Sequence, residues 1–499
     1  MNGELPQAWA ESTVGECFLE VRNGTTATQN TDVKGLPVSR IETIQNSQFD
    51  LNRIRYLEGL SAEAIENFRY RPGDIALSHI NSYEHVGKTA LYDGKPETFI
   101  HGMNLLRLRL GHDQIAPRFA YLFMQTRFFR EEVRQRVGHA VNQVSINQNN
   151  LAEVPFVVAP LAEQRRIVAK LEKLLGQVDA CRQRLDKIPT LLKRFRQSVL
   201  AAACSGKLTE DWREENPQTE STSETLQAHA QRTAGRERNT RRMKPARGLT
   251  LLDYSEEFPA TWAWLKVREL VERGAILDVQ DGNHGELYPR AEDFGESGMP
   301  YISAEHVIND RVQIVSAPRL KYEKAQQLRI GFAKANDVIL THNATVGRVA
   351  MLPLDSPDVV LSTSTTYYRV DEAVLLARYL ATFLRSHYFQ SQLEAVMEQT
   401  TRNQVSVTKQ VEFGVGLPPL NEQQEIVRRV ESLFALADNI EQRYKKAQAF
   451  VDKLTPSLLA KAFRGELVPQ DPNDEPASVL LERIKAEREK GKPQSRKKR

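Results

Sequence analysis

At 499 residues the chain is too long for one ordinary core, and three or four units are expected. Hydrophobic residues at 40%, charged residues at 26% and a formal charge of +4 fit a soluble globular protein whose mildly basic balance permits nucleic-acid binding without demanding it. Cys17, Cys181 and Cys204 stand far apart with no CxxC spacing, which supports neither a disulfide framework nor a zinc site and reads as reduced thiols in a cytosolic protein. The start Met1-Asn2-Gly3-Glu4-Leu5-Pro6 has no signal-peptide character, and no apolar run is long enough to cross a bilayer.

In chain order, residues 1–159 carry β-branched runs at Asp74–Ile80 and Met103–Leu110, read as strands, then a helix near 117–137 with aromatics on one face. Residues 160–210 form a long amphipathic helix. Residues 211–250, rich in Glu, Thr, Ser and Gln and then basic (Arg232, Arg236, Arg238, Arg241, Arg242, Lys244, Arg247), read as a flexible linker. Residues 251–418 repeat the first pattern, with strands at Asp337–Thr341 and Thr366–Val370 and a helix near 375–399. Residues 419–470 are a second long helix. Residues 471–499 hold a short helix near Ala477–Lys490 and a basic tail. The fold class is α+β, with two similar domains each followed by a long helix.

The organising feature is an internal repeat. A shift of 259 residues aligns Pro160–Leu208 with Pro419–Leu467 without a gap, with 18 identities in 49 positions, among them Pro160/Pro419, Glu163/Glu422, Gln164/Gln423 and Gly206/Gly465. Ile167, Leu171, Leu174, Val178, Cys181, Leu185, Ile188, Leu192, Phe195 and Val199 are spaced 4,3,4,3 throughout. Ile426, Val430, Leu433, Ala437, Ile440, Tyr444, Ala447, Val451, Leu454 and Leu458 keep the same beat. This is the 3.5-residue period of a coiled-coil seam, and it predicts that the two helices pair, antiparallel, about a pseudo-two-fold axis. Pro189 and Pro456 fall inside the helices at non-matching places, so each helix is expected to kink or restart there. The segments ahead of the helices match more faintly: Asp74–His79 with Asp337–His342, Val86-Gly87-Lys88 with Val346-Gly347-Arg348, and Asn142–Ile146 with Asn403–Val407.

Catalytic motifs are missing. Val86-Gly87-Lys88-Thr89 ends like a phosphate loop, but Ser82 occupies the position of the first glycine, and a strand end beside a turn is the better reading. No Asp/Glu-x-Lys follows Pro357-Asp358, His284-Gly285-Glu286 has no downstream Cys pair, and neither HExxH nor a nucleophile elbow occurs.

The two Pro-Leu-x-Glu-Gln-x-x-Ile-Val starts at 160–168 and 419–427, with the helix ends Ser205–Arg213 and Ala462–Val468, resemble the specificity subunits of type I restriction–modification systems. The resemblance covers nearly the whole chain. It implies two target-recognition domains that each read one half of a gapped double-stranded DNA site. The helices would act as spacer and as docking surface for two DNA methyltransferase subunits, with restriction and translocase subunits completing a cytoplasmic complex. It implies no cofactor on this chain; S-adenosylmethionine, ATP and Mg²⁺ would sit on the partners, with no membrane involved. Ile167 to Val199 is 32 residues, about 48 Å of straight helix against about 34–36 Å for one DNA turn, so half-sites more than a turn apart are expected.

Asn and Gln suit adenine, and Arg and Lys suit guanine. The candidate DNA-binding residues are therefore His79, Asn81, Lys88, Asn142 and Gln143 in the first domain, and His342, Asn343, Arg348, Asn403 and Gln404 in the second. The Asn-Gln pairs occur in both copies, which fits phosphate contact or domain structure better than reading of different sequences. Arg127, Arg130 and Arg134 offer backbone contacts, although their matches His387, Gln390 and Glu394 lose the charge. The expected seam consists of Ile167, Leu171, Leu174, Val178, Leu185, Ile426, Val430, Leu433, Ile440 and Tyr444. The alternative reading is a non-catalytic coiled-coil scaffold without sequence-specific DNA binding.

Overall fold

The computed structural model describes residues 4–140, 143–235, 249, 251–398 and 403–490. The chain divides into two compact units, residues 1–186 with 445–499 and residues 187–444. The division cuts through both long helical regions, which the sequence pattern treats as whole. Each unit holds one domain, the beginning of the helical rod that comes after that domain, and the end of the other rod.

In the first unit, Ile75–Ser78 is buried at all four positions and lies between Leu105–Arg109 and Thr89–Leu91, with Glu20–Asn23 at the edge, all antiparallel. Cover on both faces explains why that strand reads as a continuous apolar run. Ala10–Thr13 pairs with Pro155–Val158, which ties the start of the domain to the strand that leads into the rod. The helix expected over 117–137 is two helices, Pro117–Met124 and Arg127–Gln135. Thr126 divides them: its hydroxyl donates to Phe123 O and accepts from Phe129 N, so it caps a new helix instead of continuing the old one.

The second unit repeats this plan. Ile276–Asp281, Thr365–Val370, Val338–Thr341 and Val349–Met351 stand side by side in the same order and extend to Arg311–Val312 and Val307–Ile308. Its helical region also divides, into Ala377–Arg385 and His387–Glu398, at Ser386. Both sheets carry the same internal brace. Arg109 chelates Asp74 through Nε and Nη2 at 2.7 and 2.6 Å, and Arg369 chelates Asp337 at 3.0 and 2.6 Å. Each carboxylate is buried, and its oxygens are satisfied by a bidentate guanidinium.

The rod segments pair antiparallel within each unit. In the first, Ile167 and Leu171 share a core with Leu459, Ala462 and Phe463, while Arg182 lies 3.6 Å from Asp452, so numbers fall on one helix as they rise on the other. In the second, Val199 and Ala203 share a core with Ile426 and Val430, and Arg196 reaches Asp438 at 2.6 Å and Glu441 at 3.0 Å. Of the expected seam, Ile167, Leu171, Val178, Ile426 and Val430 are buried, and Leu174, Leu185, Leu433 and Tyr444 are half-buried. Ile440 is a correction: it is 39% exposed. The contact at its level is the polar one made by Arg196, and a straight helix drifts off a strict seven-residue repeat. Pro189 restarts its rod, which consists of Leu161–Leu185 and Ile188–Cys204. Pro456 does not restart the second rod, which runs unbroken from Leu420 to Phe463. Pro456 is exposed, so the carbonyl that it leaves without a partner can be hydrated.

Part of 211–250 is ordered rather than a flexible linker. Thr222–Arg232 is a helix started by a Ser221/Glu224 capping box, docked by Thr222 N to Thr261 O and by the buried Leu226 and His229. Its counterpart in the first unit is Ala477–Lys490, docked by Ala477 N to Ala8 O at the matching place. Of the basic cluster, Arg236, Arg238, Arg241, Arg242, Lys244 and Arg247 lie outside the described residues, as does the tail beyond 490.

The duplicated motif explains how each domain is locked to its rod. Glu163 accepts from the Trp9 indole at 2.9 Å and from Gln470 Nε2 at 2.7 Å; Glu422 accepts from the Trp262 indole at 2.9 Å, from Thr209 Oγ1 at 2.7 Å and from Arg213. Gln164 and Gln423 serve as surrogate caps. Gln164 Oε1 accepts from Ala116 N at 2.8 Å, ahead of the Pro117 helix, and Gln423 Oε1 accepts from Leu376 N at 2.9 Å, ahead of the Ala377 helix. The N-cap residues of the two helices, Ala116 and Leu376, have no side chain that can cap, although Glu372 also accepts from Ala377 N at 3.1 Å in the second. After each rod the chain turns at a left-handed glycine. A Cβ on Gly206 (φ +78°) would stand 2.6 Å from Pro259 Cγ, and one on Gly465 (φ +78°) 2.3 Å from Pro6 Cγ. Gly206→Ala and Gly465→Ala should each lower the urea unfolding free energy by about 1–3 kcal/mol; unchanged midpoints would show that the turn relaxes freely.

Candidate nucleic-acid interface

Residues distant in sequence converge on one edge of each domain. In the first, the chain leaves Ile75–Ser78 and returns so that Ser78 N donates to Lys88 O and Gly87 N to Ser78 O. Ile80–Asn81 pairs with Gln143–Ser145, and Ile146 N donates to His79 O. In the second, Thr341 N donates to Arg348 O, Gly347 N to Thr341 O and Val405 N to His342 O, and Asn343 bridges Gln404. The same ladder therefore gathers His79, Asn81, Lys88 and Gln143 in one domain, and His342, Asn343, Arg348, Asn403 and Gln404 in the other. Asn142 lies outside the described residues.

Side-chain surroundings separate these residues. Gln143 and Asn403 are exposed, and Asn343 and Gln404 are half-buried. Lys88 is half-buried with no side-chain hydrogen bond or ion pair among the described residues. Arg348 is exposed and donates from Nη1 to Val307 O at 3.1 Å. The Asn81 amide is used locally: Nδ2 donates to Ser78 Oγ at 3.1 Å and Oδ1 accepts from Ser82 N at 2.8 Å, a turn-forming arrangement. His342 is a correction. It is fully buried, with Nδ1 2.8 Å from Thr366 Oγ1, so its ring braces the sheet and is not presented on the edge.

Burial pushes the His79 and His342 rings down to about 4, and the interior His101 to about 3. All three are neutral in the fold at pH 7 and supply no cation for phosphate. Unfolded rings titrate near 6.5, so as pH falls the unfolded chain takes up protons first. The stability that depends on these rings is whole above about pH 6.5 and is lost toward pH 4. For His342 the loss by pH 5 is about 2 kcal/mol. A His342→Gln chain should show a shallower fall of urea midpoint between pH 7 and 5, and an equally steep fall would remove His342 as a cause.

Beside Arg348, a cleft of about 1000 Å³ runs between the second domain and the rod segments of its unit, with Lys193, Arg196, Asp310, Arg385 and Glu441 among its lining. Arg196 is held by Asp438 and Glu441, and Arg385 lies 3.6 Å from Asp310. Lys193 and Arg348 are the lining cations without an acidic partner among the described residues. Among the described residues, no group of three or more His, Cys, Asp or Glu is placed to hold a metal, and no helix is long and apolar enough to cross a membrane. Gly87, in the phosphate-loop-like segment, is a turn glycine (φ +78°) before the Thr89–Leu91 strand.

Two copies of one α+β domain, each clamped to a helical rod by the same Glu-Gln pair and each gathering polar and basic residues along one edge, make a duplicated protein with two equivalent candidate interfaces. The chain belongs to the type I restriction modification DNA specificity domain family, which it matches over residues 6–190 and 269–449. It is 29% identical to the type I restriction enzyme StySPI specificity subunit of Salmonella potsdam and 29% identical to the EcoKI specificity subunit of Escherichia coli K12, with 99% of both chains covered in each case. The fold is similar to that of a chain solved for complex assembly and conformational transition of the type I R-M system (TM-score 0.60, 18% identity, 93% of this chain and 100% of that one). It is also similar to the HsdS subunit from Thermoanaerobacter tengcongensis (TM-score 0.56, 17% identity, 93% and 99%). The family places the function of this chain in DNA recognition.

Proposed function

We propose that the chain reads a bipartite, gapped duplex site, one half per domain, and presents it to two DNA methyltransferase subunits and to restriction/translocase subunits while catalysing no step itself. S-adenosylmethionine, ATP and Mg²⁺ then belong to those partners, and the complex works in the cytoplasm. The observation that carries this reading is the repeated edge: one backbone ladder, built twice, gathers matching polar and basic residues (Lys88 and Gln143 in one domain; Arg348, Asn403 and Gln404 in the other) in a chain of a DNA specificity family. A frame used twice suits two half-sites, one per domain, and the turn after the central strand, eight positions from His79 to Gly87 against five from His342 to Gly347, differs between the copies and so can read a different sequence in each.

The test is to express the chain with its methyltransferase and map modified bases by long-read sequencing. A split motif with one modified base in each half is expected. Modification without a sequence motif, or a continuous motif, would favour the scaffold reading, in which the paired helices join proteins and the domains do not select DNA.

A further inference from the structure

The two edges differ in the turn after the central strand. From His79 to Gly87 is eight positions, and from the matching His342 to Gly347 is five, so the first domain carries a longer loop. That loop presents Tyr83, 52% exposed, beside exposed Ser82, Glu84 and His85. The ring is held from the helix behind it: the Arg134 guanidinium lies 5.7 Å from its centroid and donates from Nη2 to Glu84 O at 2.9 Å. One helical turn earlier on Arg127–Gln135, Arg130 donates to Gln125 Oε1. Unlike Arg127, which pairs with Glu131, neither Arg130 nor Arg134 has an acidic partner among the described residues, and the Nε of each is buried without a hydrogen bond there. Burial and the charge of Arg134 pull the pKa of Arg130 down, as expected where like charges crowd without an anion. Lys88 closes the same loop. In the second domain the places of Arg130 and Arg134 are taken by Gln390 and Glu394, and Gln390 is spent on Gly347 O and Leu384 O.

We propose that the Ser82–Lys88 loop is a base-reading element peculiar to the first half-site, with Tyr83 as an aromatic contact to the bases and Arg134 beneath it as a fixed charge for the adjoining phosphate. The inference rests on the DNA-reading function proposed above and deepens it. Aromatic rings on a loop stack on or wedge against bases, and a guanidinium behind the ring both orients it and attracts the backbone. A reader whose frame is shared with its twin must draw its own specificity from what is not shared, and this loop, with two arginines that have no acidic partner among the described residues, is one such difference at the edge.

The test uses the full chain in complex with its methyltransferase subunits, on a duplex carrying the mapped motif and on duplexes with either half scrambled. Tyr83→Ala should weaken binding to the intact motif about 10-fold and abolish the penalty for scrambling one half while leaving the other penalty unchanged. Tyr83→Phe, which keeps the ring, should retain both penalties. Arg134→Gln should lower the slope of log affinity against log salt by about one. A Tyr83→Ala complex that binds every duplex as the wild type does, or loses the same factor on all of them, overturns the inference while the wild-type complex still discriminates. A wild-type complex that fails to discriminate among the duplexes overturns the function beneath it.

Discussion

Gln423→Ala should lower the unfolding free energy of the second unit by about 3 kcal/mol, and Gln164→Ala should do the same in the first, each monitored in urea by tryptophan fluorescence. The amide of Gln423 serves three backbone groups from two directions: Leu376 N at 2.9 Å, Val374 O at 2.9 Å and Pro418 O at 3.0 Å. The side chain is fully buried, so truncation leaves a donor and two acceptors away from water. Each such group costs about 1–3 kcal/mol if nothing replaces its partner. Admission of one water would recover part of this, which is why the expected total is nearer 3 than 9. Glu422→Ala strands the Trp262 indole and Thr209 in the same pocket and is expected to fall in the same range. Losses below about 0.5 kcal/mol would mean that the duplicated Glu-Gln pair is not what holds domain to rod.

This clamp marks the boundary of what is legible in sequence. The repeat, the 4,3 spacing and the faint matches between the domains are enough for the architecture, because duplication and period survive in sequence. The Glu of each Pro-Leu-x-Glu-Gln reads locally as a favourable charge in the first turn of a helix. Its actual partners lie 154 and 307 positions away for Glu163, a contact that no local pattern encodes. The division at Thr126 is hidden because the aromatic face continues across it, although the Thr-x-x-Phe cap is local. Thr222–Arg232 is hidden because its composition is that of a linker; the Ser221-x-x-Glu224 box is the available sign. At the edge of each domain, the matches between copies lead to residues that share a backbone ladder, and among them are His342 and Asn81, whose side chains are spent internally. Shared residues report the common frame, and the loop of Tyr83 escapes such a comparison because it has no counterpart to align with.

On the bipartite reading proposed above, four residues inserted after Asp186, together with four after Tyr444, should lengthen the gap of the modified motif by about two base pairs. The insertion points lie where the two compact units divide, so the pairs within each unit, such as Arg182 with Asp452 and Arg196 with Asp438, keep their registers. Four residues add about 6 Å of helix, close to two steps of about 3.4 Å along DNA, and rotate the downstream part of the rod by about 400°, little more than a full turn. Two residues in each rod add only about 3 Å but rotate by about 200°, so on the bipartite reading proposed above the two half-sites should no longer be engaged together. The longer insertion should therefore preserve modification at a re-spaced motif, and the shorter one should abolish it. Modified-base sequencing of cells carrying each variant reads both outcomes. An unchanged gap with the four-residue insertion would show that the rods do not set the spacing. Equal activity of the two variants at the original motif would place the flexibility in the junctions between domain and rod, and the Glu-Gln clamps would then be too weak to hold either domain in phase with its helix.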